Sequence, residues 1–372
     1  MNKTIILHIC LSKGWGGLEM YPSRVGKELL HRGYQVFGLC LDNTKVADSF
    51  HFVGMTTFFS SSKQKLVTIQ LLALNQWVKE NGITHIHCHK SGDLLVAALL
   101  KQLQPQLKVF FTEHMGVTRP KKSLYHRWVY SKVNQIFSIS NATYQRNVKA
   151  LPVTRDQISV LWLGTDISDF TPIEDSEKKQ LHKELELRTD YLTIGCVGRL
   201  CDGKGQKELI EAFGYLKESA PNTQLIIVGG LLEQEGADVD YVDKLQTIAK
   251  KSAAYRDIHF TGFRSDTKKL LSLMDIVCIP SHNEAFGLTV IEAMAATKAI
   301  VGSNTGAIPE IVANTGLLCT PTSAQDIARK LKQYVDSESL MNNNAVLARQ
   351  RVLQEFAMDS HIEKLLKRYY QY

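Results

Sequence analysis

Short apolar runs alternate with amphipathic stretches along most of the 372-residue chain. The runs predict strands at Ile5–Cys10, Gln35–Leu41, Thr84–Cys88, Lys108–Thr112, Gln135–Ser140 and Ile158–Leu163. A second series is predicted at Leu192–Val197, Gln224–Val228, Ile258–Thr261, Asp275–Pro280, Ala299–Gly302 and Gly316–Cys319. Several are almost unbroken in Ile, Val, Leu and Cys, as expected of parallel strands buried on both faces. The stretches between them have helical periodicity, and strand–helix alternation of this kind builds βαβ units. The series part near Asp166–Asp190, where DISDFTPIEDSEKKQ is polar, acidic and carries a proline, which reads as an exposed linker.

The predicted fold class is therefore α/β, with two facing Rossmann-like doubly wound domains and a cleft between them. The expected domains are 1–165 and 166–355, with a helix over 356–372 packing back on the first. Ligands of such folds bind at the carboxyl ends of the strands, which here border the cleft.

Composition narrows the class. The chain is 44% hydrophobic and 22% charged, ordinary for a globular protein. No stretch approaches the roughly 18 uninterrupted apolar residues of a membrane span. The N-terminal MNKTIILHICLSKG has only a short apolar run and reads as a first strand, not as a signal peptide. A cytoplasmic protein is expected. Seven cysteines, mostly inside apolar runs and with no CxxC pair, fit a reducing compartment. Residues 1–160 carry 20 Lys and Arg against 8 Asp and Glu, a net of +12, and the remainder is at −5. A basic half calls for an anionic partner. The chain has no zinc-finger spacing, RNP-like aromatic motif or basic region feeding a coiled coil, so nucleic acid is not expected.

Four clusters carry candidate chemistry. In the run from Pro280 to Met294, a loop with Glu284, Phe286 and Gly287 opens a helix at Leu288 that carries Glu292. Free N–H groups at such a helix start suit a phosphate, and the two carboxylates suit sugar and ribose hydroxyls. Read alone, it is equally a helix with one capping and one surface glutamate. Gly198-Arg199-Leu200-Cys201-Asp202-Gly203-Lys204-Gly205 sets Arg199 and Lys204 in a strand–helix turn, a cationic cradle for phosphate or a solvated polar turn. Lys13-Gly14-Trp15-Gly16-Gly17-Leu18-Glu19 is a glycine turn into a helix, without the dinucleotide fingerprint. Thr112-Glu113-His114 ends a buried strand in the basic half, where His114 is a substrate ligand, an acid or base, or a structural histidine.

Together these residues resemble the GT-B glycosyltransferases of family 4, also called glycosyl transferases group 1. The resemblance spans nearly the whole chain. Glu284 and Glu292 stand at the family's E-x7-E spacing, and Gly198-Arg199-Leu200 with Lys204-Gly205 matches its GRL-x3-KG turn. Phe286-Gly287-Leu288 matches FGL and Glu292-Ala293-Met294-Ala295 matches EAMA. Gly16-Gly17, Glu113-His114 and Gly306-Ala307-Ile308-Pro309-Glu310 match further family loops.

The resemblance implies that Arg199 and Lys204 neutralise a donor diphosphate and that Glu292 holds the ribose. It further implies that Glu284 and the Phe286–Leu288 backbone grip the sugar, that Gly16 and Gly17 border the donor, and that His114 meets the sugar near the reacting carbon. It implies retention of anomeric configuration with no metal and no cofactor. The donor would be a nucleotide sugar, with a UDP-sugar favoured, and the acceptor a saccharide. Cations and helix N–H groups would then stabilise the charge growing on the leaving diphosphate.

Two loops depart from the family pattern, Leu163-Gly164-Thr165-Asp166 and Gly229-Gly230-Leu231. Asp238-Val239-Asp240 spells a metal-binding DxD but opens a helical stretch, and His85, His87 and His89 share one strand face without a second ligand cluster, so no metal is expected at either. Rival functions are a sugar-nucleotide epimerase of similar architecture and a non-catalytic sugar-nucleotide binder.

In the basic half, Leu124 and Trp128 lie four apart, Tyr125 and Val129 repeat the spacing, and Lys121, Lys122, Arg127 and Lys132 flank them. Such a helix lies on an anionic bilayer or packs its stripe on the sheet. The first alternative predicts a peripheral enzyme of the inner membrane face with a lipid-linked saccharide acceptor, and the second leaves a soluble acceptor.

Overall fold

The computed structural model describes residues 4–168, 170 and 173–372, so residues 169, 171 and 172 of the predicted linker lie outside the described residues. The chain divides into two compact units, Met1–Gly164 with Met358–Tyr372, and Thr165–Ala357. It crosses between them twice, and the crossings run side by side: Thr165 forms a parallel bridge with Ala357, and its N–H donates to the Phe356 carbonyl at 2.8 Å.

The first unit is built on seven strands, β1 (Ile5–Cys10), β2 (Gln35–Leu41), β3 (Thr56–Ser60), β4 (His85–Cys88), β5 (Lys108–Glu113), β6 (Gln135–Ser138) and β7 (Ile158–Val160). All neighbours are parallel, in the order β3-β2-β1-β4-β5-β6-β7. The second unit has six: β8 (Leu192–Val197), β9 (Thr223–Val228), β10 (Ile258–Gly262), β11 (Ile276–Ile279), β12 (Ala299–Ser303) and β13 (Leu317–Cys319). Their order is β10-β9-β8-β11-β12-β13, again parallel throughout. Each sheet is doubly wound, because the strand order reverses once, between β1 and β4 and between β8 and β11. Helices must cover both faces of such a sheet, which is why its strands are apolar throughout.

Three expectations are corrected. The strand Thr56–Ser60 was not predicted; it is an edge strand of mostly half-exposed residues, with no apolar run to announce it. The predicted linker is in part a helix, Asp175–Glu184, whose Glu177 and Glu184 pair with Lys269 and Arg264 of the second unit. Its polar sequence reflects a surface helix held by ion pairs. Finally, β7 ends at Val160, short of the predicted Leu163. Six of the seven cysteines are buried, and burial pushes the thiols of Cys10, Cys40, Cys196 and Cys319 up to about 12.

Candidate functional site

In the second unit the loops leaving β8 and β11 stand next to each other at the point where strand order reverses. Such a switch point leaves room for a ligand beyond the strand ends. The first loop carries Arg199 and Lys204 and turns into the helix Gln206–Lys217 at Gly205. The second carries Glu284 and opens the helix Leu288–Ala295 after Gly287. Two hydrogen bonds lace the loops to their surroundings: His282 N–H donates to the Gly203 carbonyl at 2.9 Å, and Thr305 Oγ1 donates to the His282 carbonyl at 2.8 Å.

The structure pairs Lys204 with Glu284, Nζ to Oε2 2.7 Å. Their side chains are 33% and 20% exposed, so the pair contributes only about 0–1 kcal/mol. Little would oppose a diphosphate taking the ammonium from the carboxylate. The Glu284 backbone is clamped from the other side: Ala307 N–H donates to its carbonyl at 2.9 Å, and a Cβ on Gly306 would lie 2.5 Å from that oxygen. Only glycine lets this turn approach so closely.

Arg199 is exposed, and its carbonyl accepts from Gln206 Nε2 at 3.0 Å. Glu292 is half-buried on the Leu288–Ala295 helix. Phe286 is 2% exposed and meets the Phe356 ring edge-on at 6.1 Å, so this residue offers a ligand only its main chain. In the Asp238-Val239-Asp240 run, Asp238 Oδ1 accepts from Tyr241 N–H at 3.2 Å and caps the helix Val239–Lys251.

In the first unit the loop after β1 carries Gly16 and Gly17 and opens the helix Gly17–His31. A hub that no linear motif announces holds it. Ser12 Oγ donates to Glu19 Oε1 at 2.7 Å and accepts from Gly14 N–H at 3.2 Å and Lys90 Nζ at 3.0 Å. Beneath it Asp93, fully buried, accepts from Leu11 N–H at 3.0 Å and from Lys63 Nζ at 2.7 Å. Lys90 and Asp93 lie just past β4, across the switch point, which is the one signal that could have found them.

His114 is 4% exposed, and burial holds its imidazole down to about 3, with His361 adding to the effect. It is therefore neutral at physiological pH, a hydrogen-bond partner and not a proton donor. Its Nε2 is buried without a partner. The ring packs edge-on against Tyr21 at 5.0 Å and lies 5.9 Å from His89.

His114 belongs to a larger buried group. The face of the sheet that carries His8, His87 and Thr112 is crossed by Tyr21 of the Gly17–His31 helix and by His361 and Tyr369 of the helix Met358–Tyr369. Ring nitrogens of His8, His87 and His89 lie within 4.8 Å of one another. They do not form a ready metal site. Both nitrogens of His87 are engaged, with the Tyr369 hydroxyl at 2.6 Å and Thr112 Oγ1 at 2.7 Å, so its lone pair already accepts a hydrogen bond. His8 Nδ1 and His89 Nε2 face each other at 2.9 Å and share one proton between them, which occupies another lone pair. His85 stands apart, stacked on Phe110 at 5.7 Å.

The predicted site residues thus fall in two sets. Arg199, Lys204, Glu284, Phe286, Gly287, Leu288 and Glu292 lie on the two loops of the second unit, while Gly16, Gly17 and His114 lie at the strand ends of the first.

Comparison with known proteins follows the same division. The model of the glycosyl transferases group 1 family matches residues 177–351, and that of glycosyltransferase family 4 matches residues 15–169. The D-inositol 3-phosphate glycosyltransferase of Corynebacterium jeikeium is 31% identical over 359 residues, covering 87% of this chain and 84% of that protein. The N,N'-diacetylbacillosaminyl-diphospho-undecaprenol alpha-1,3-N-acetylgalactosaminyltransferase of Campylobacter jejuni is 33% identical over 221 residues, 58% of this chain and 54% of its own. Among solved structures, Anabaena HepE in complex with UDP and glucose superposes with a TM-score of 0.83 at 20% identity, over 99% of this chain and 100% of that one.

Proposed function

Because the chain belongs to the group 1, family 4 glycosyltransferases and has their GT-B fold, we propose that it transfers a hexose from a nucleotide-diphosphate sugar to a saccharide acceptor, with retention at the anomeric carbon and without a metal. One observation carries this reading: the Arg199–Lys204 turn and the Glu284 loop converge at the switch point of the second unit, joined by the 2.7 Å Lys204–Glu284 contact. In this reading a donor diphosphate takes up Arg199, Lys204 and the N–H groups at the start of the Leu288–Ala295 helix. Those groups stabilise the charge that grows on the leaving diphosphate. Glu284, released from Lys204, accepts from a sugar hydroxyl, and Glu292 accepts from the ribose. His114 serves the sugar as a neutral hydrogen-bond partner, and Gly16 and Gly17 let the backbone approach the donor.

A UDP-sugar is the favoured donor, in keeping with the UDP and glucose bound by the Anabaena neighbour. Thermal shifts with UDP, GDP and ADP test the base, since a ligand that binds only the folded state raises its stability. NMR of the product tests retention. Turnover lost in EDTA and restored by Mn²⁺ or Mg²⁺ would contradict the metal-free reading.

The proposed acceptor is a lipid-linked saccharide, such as a lipopolysaccharide core or polysaccharide precursor, met by a peripheral enzyme at the cytoplasmic face of the membrane. Among the described residues no helix is long and apolar enough to cross a membrane. The support comes from the helix Leu124–Ser131, where Leu124 is 83%, Tyr125 50% and Trp128 37% exposed, while Val129 and Tyr130 turn into the core. The exposed stripe is thus narrower than the sequence pattern, having lost Val129. Beside it Lys122, Arg127 and Lys149 line a groove of about 790 Å³ that, among the described residues, no acidic side chain lines. The Campylobacter relative, by its name, acts on a diphospho-undecaprenol-linked sugar. A soluble acceptor is the second reading, favoured by the relative named for D-inositol 3-phosphate.

A further inference from the structure

Behind His114, the contacts of His361 admit only one arrangement of protons. His361 Nδ1 lies 2.7 Å from the Trp162 carbonyl, which can only accept, so Nδ1 bears the proton and Nε2 the lone pair. The Tyr21 hydroxyl, 2.7 Å from that Nε2, must donate to it. Tyr21 has then spent its only proton, and protons point one way from Tyr21 through His361 to the Trp162 carbonyl. On the same sheet face His87 lies between two hydroxyls, with Nε2 2.7 Å from Thr112 Oγ1 and Nδ1 2.6 Å from the Tyr369 hydroxyl.

Burial keeps both imidazoles neutral, because desolvation holds His361 down to about 4 and His87 well below the ordinary histidine range. Neither Tyr21 nor His361 can turn without leaving a buried polar atom unpaired, so this series is rigid. His114 is outside it and differs in kind. With Nε2 unpartnered, no hydrogen bond at that atom fixes its plane; the neighbouring rings do, and Tyr21 is the nearer at 5.0 Å.

We propose that Tyr21 is a positioning residue for His114, and that its hydrogen bond to His361 makes the helix Met358–Tyr369 part of what aims the His114 ring. This rests on the reading that His114 meets the donor sugar. A misaimed ring costs turnover without costing nucleotide affinity, because the nucleotide's ligands lie in the second unit.

The test combines turnover of UDP-glucose, hydrolysis included, with UDP affinity and the ¹⁵N imidazole spectrum of His114, which needs no donor. Tyr21→Phe removes one oxygen and keeps the ring. It is expected to move the His114 resonances and lower kcat by about tenfold to a hundredfold, with UDP affinity unchanged. In a His114→Ala background the same change should cost nothing further, since residues acting through one another are not additive. His361→Gln, whose carbonyl can accept from Tyr21, should stay near wild type, and His361→Leu should copy Tyr21→Phe. Unmoved His114 resonances in Tyr21→Phe, or an equal loss with and without His114, would overturn the proposal and leave Tyr21 a purely structural residue. Should His114→Ala turn over like the wild type, the reading of His114 itself falls. Should His114→Ala be inactive and Tyr21→Phe normal, only the role of Tyr21 falls.

Discussion

The Cα of Gly205 faces the Pro280 carbonyl so closely that a Cβ built there would stand 2.1 Å from the oxygen. Gly205 also has φ of 78°, a left-handed backbone that side chains disfavour. This contact sets the spacing between the Lys204 turn and the Glu284 loop. Gly205→Ala must push the loops apart, at a cost of about 2–4 kcal/mol from backbone strain and overpacking together. The thermal midpoint should fall and turnover with it. A midpoint like that of the wild type would show that the loops tolerate a wider spacing.

Lys204 and Glu284 should separate in their effects. Lys204→Ala should leave stability within about 1 kcal/mol, as for other part-exposed pairs, and lower kcat by roughly 10²–10³, as for other preorganised charge stabilisers. Glu284→Gln frees the ammonium, so UDP alone should bind as well as in the wild type or a few-fold tighter, while transfer falls. Weaker UDP binding by Glu284→Gln would mean that the pair is part of the diphosphate site and not its competitor.

Acid should weaken the first unit. His8 and His114 are held down to about 3 and His361 to about 4, all by burial. The unfolded chain protonates them below about pH 6.5, whereas the folded chain resists until those lower values. Their contribution is therefore complete above pH 6.5 and is lost as pH falls toward 3. Each costs up to about 1.4 kcal/mol per pH unit in that window. Against a typical total of about 5–15 kcal/mol, calorimetry should show a steep fall in midpoint between pH 6.5 and 5. A midpoint flat to pH 4.5 would contradict the buried, neutral histidines.

The membrane reading predicts salt-sensitive co-sedimentation with anionic vesicles and none with neutral ones. Near such a surface each Lys or Arg contributes on the order of 1 kcal/mol. Changing Lys122, Arg127 and Lys149 to Glu should abolish binding, and Leu124→Ser with Trp128→Ser should weaken it with soluble-acceptor activity intact. No binding to any vesicle would make the soluble acceptor the better reading.

Much of the fold was legible because buried parallel strands are written as apolar runs. β1, β2 and β8 have the predicted bounds. β3 was not, since its five residues, Thr56–Ser60, are all but one exposed or half-exposed and make no sustained apolar run. The positions of the two loops of the second unit were legible too, since each follows a predicted strand and gathers Gly, Lys, Arg or Glu within a short window. The ring cluster was opaque for the opposite reason. Tyr21 and His361 are 340 positions apart, and neither belongs to a pattern by itself. The histidines of β4 drew notice as metal candidates, yet the structure gives His87 two hydroxyl partners from other elements. Lys204 and Glu284 were each marked, but their mutual engagement depends on how the β8 and β11 loops pack.

The second crossing of the chain has a consequence for biosynthesis. His361 and Tyr369, which satisfy buried partners on β4 and on the Gly17–His31 helix, leave the ribosome only after the whole of Thr165–Ala357 has been made. Until then the nascent first unit holds unpaired polar groups and an uncovered apolar face, while the second unit has all its residues and can fold. Synthesis order and folding order are therefore inverted: the unit that emerges first is the one completed last, and during translation it is the part most exposed to aggregation and to chaperones.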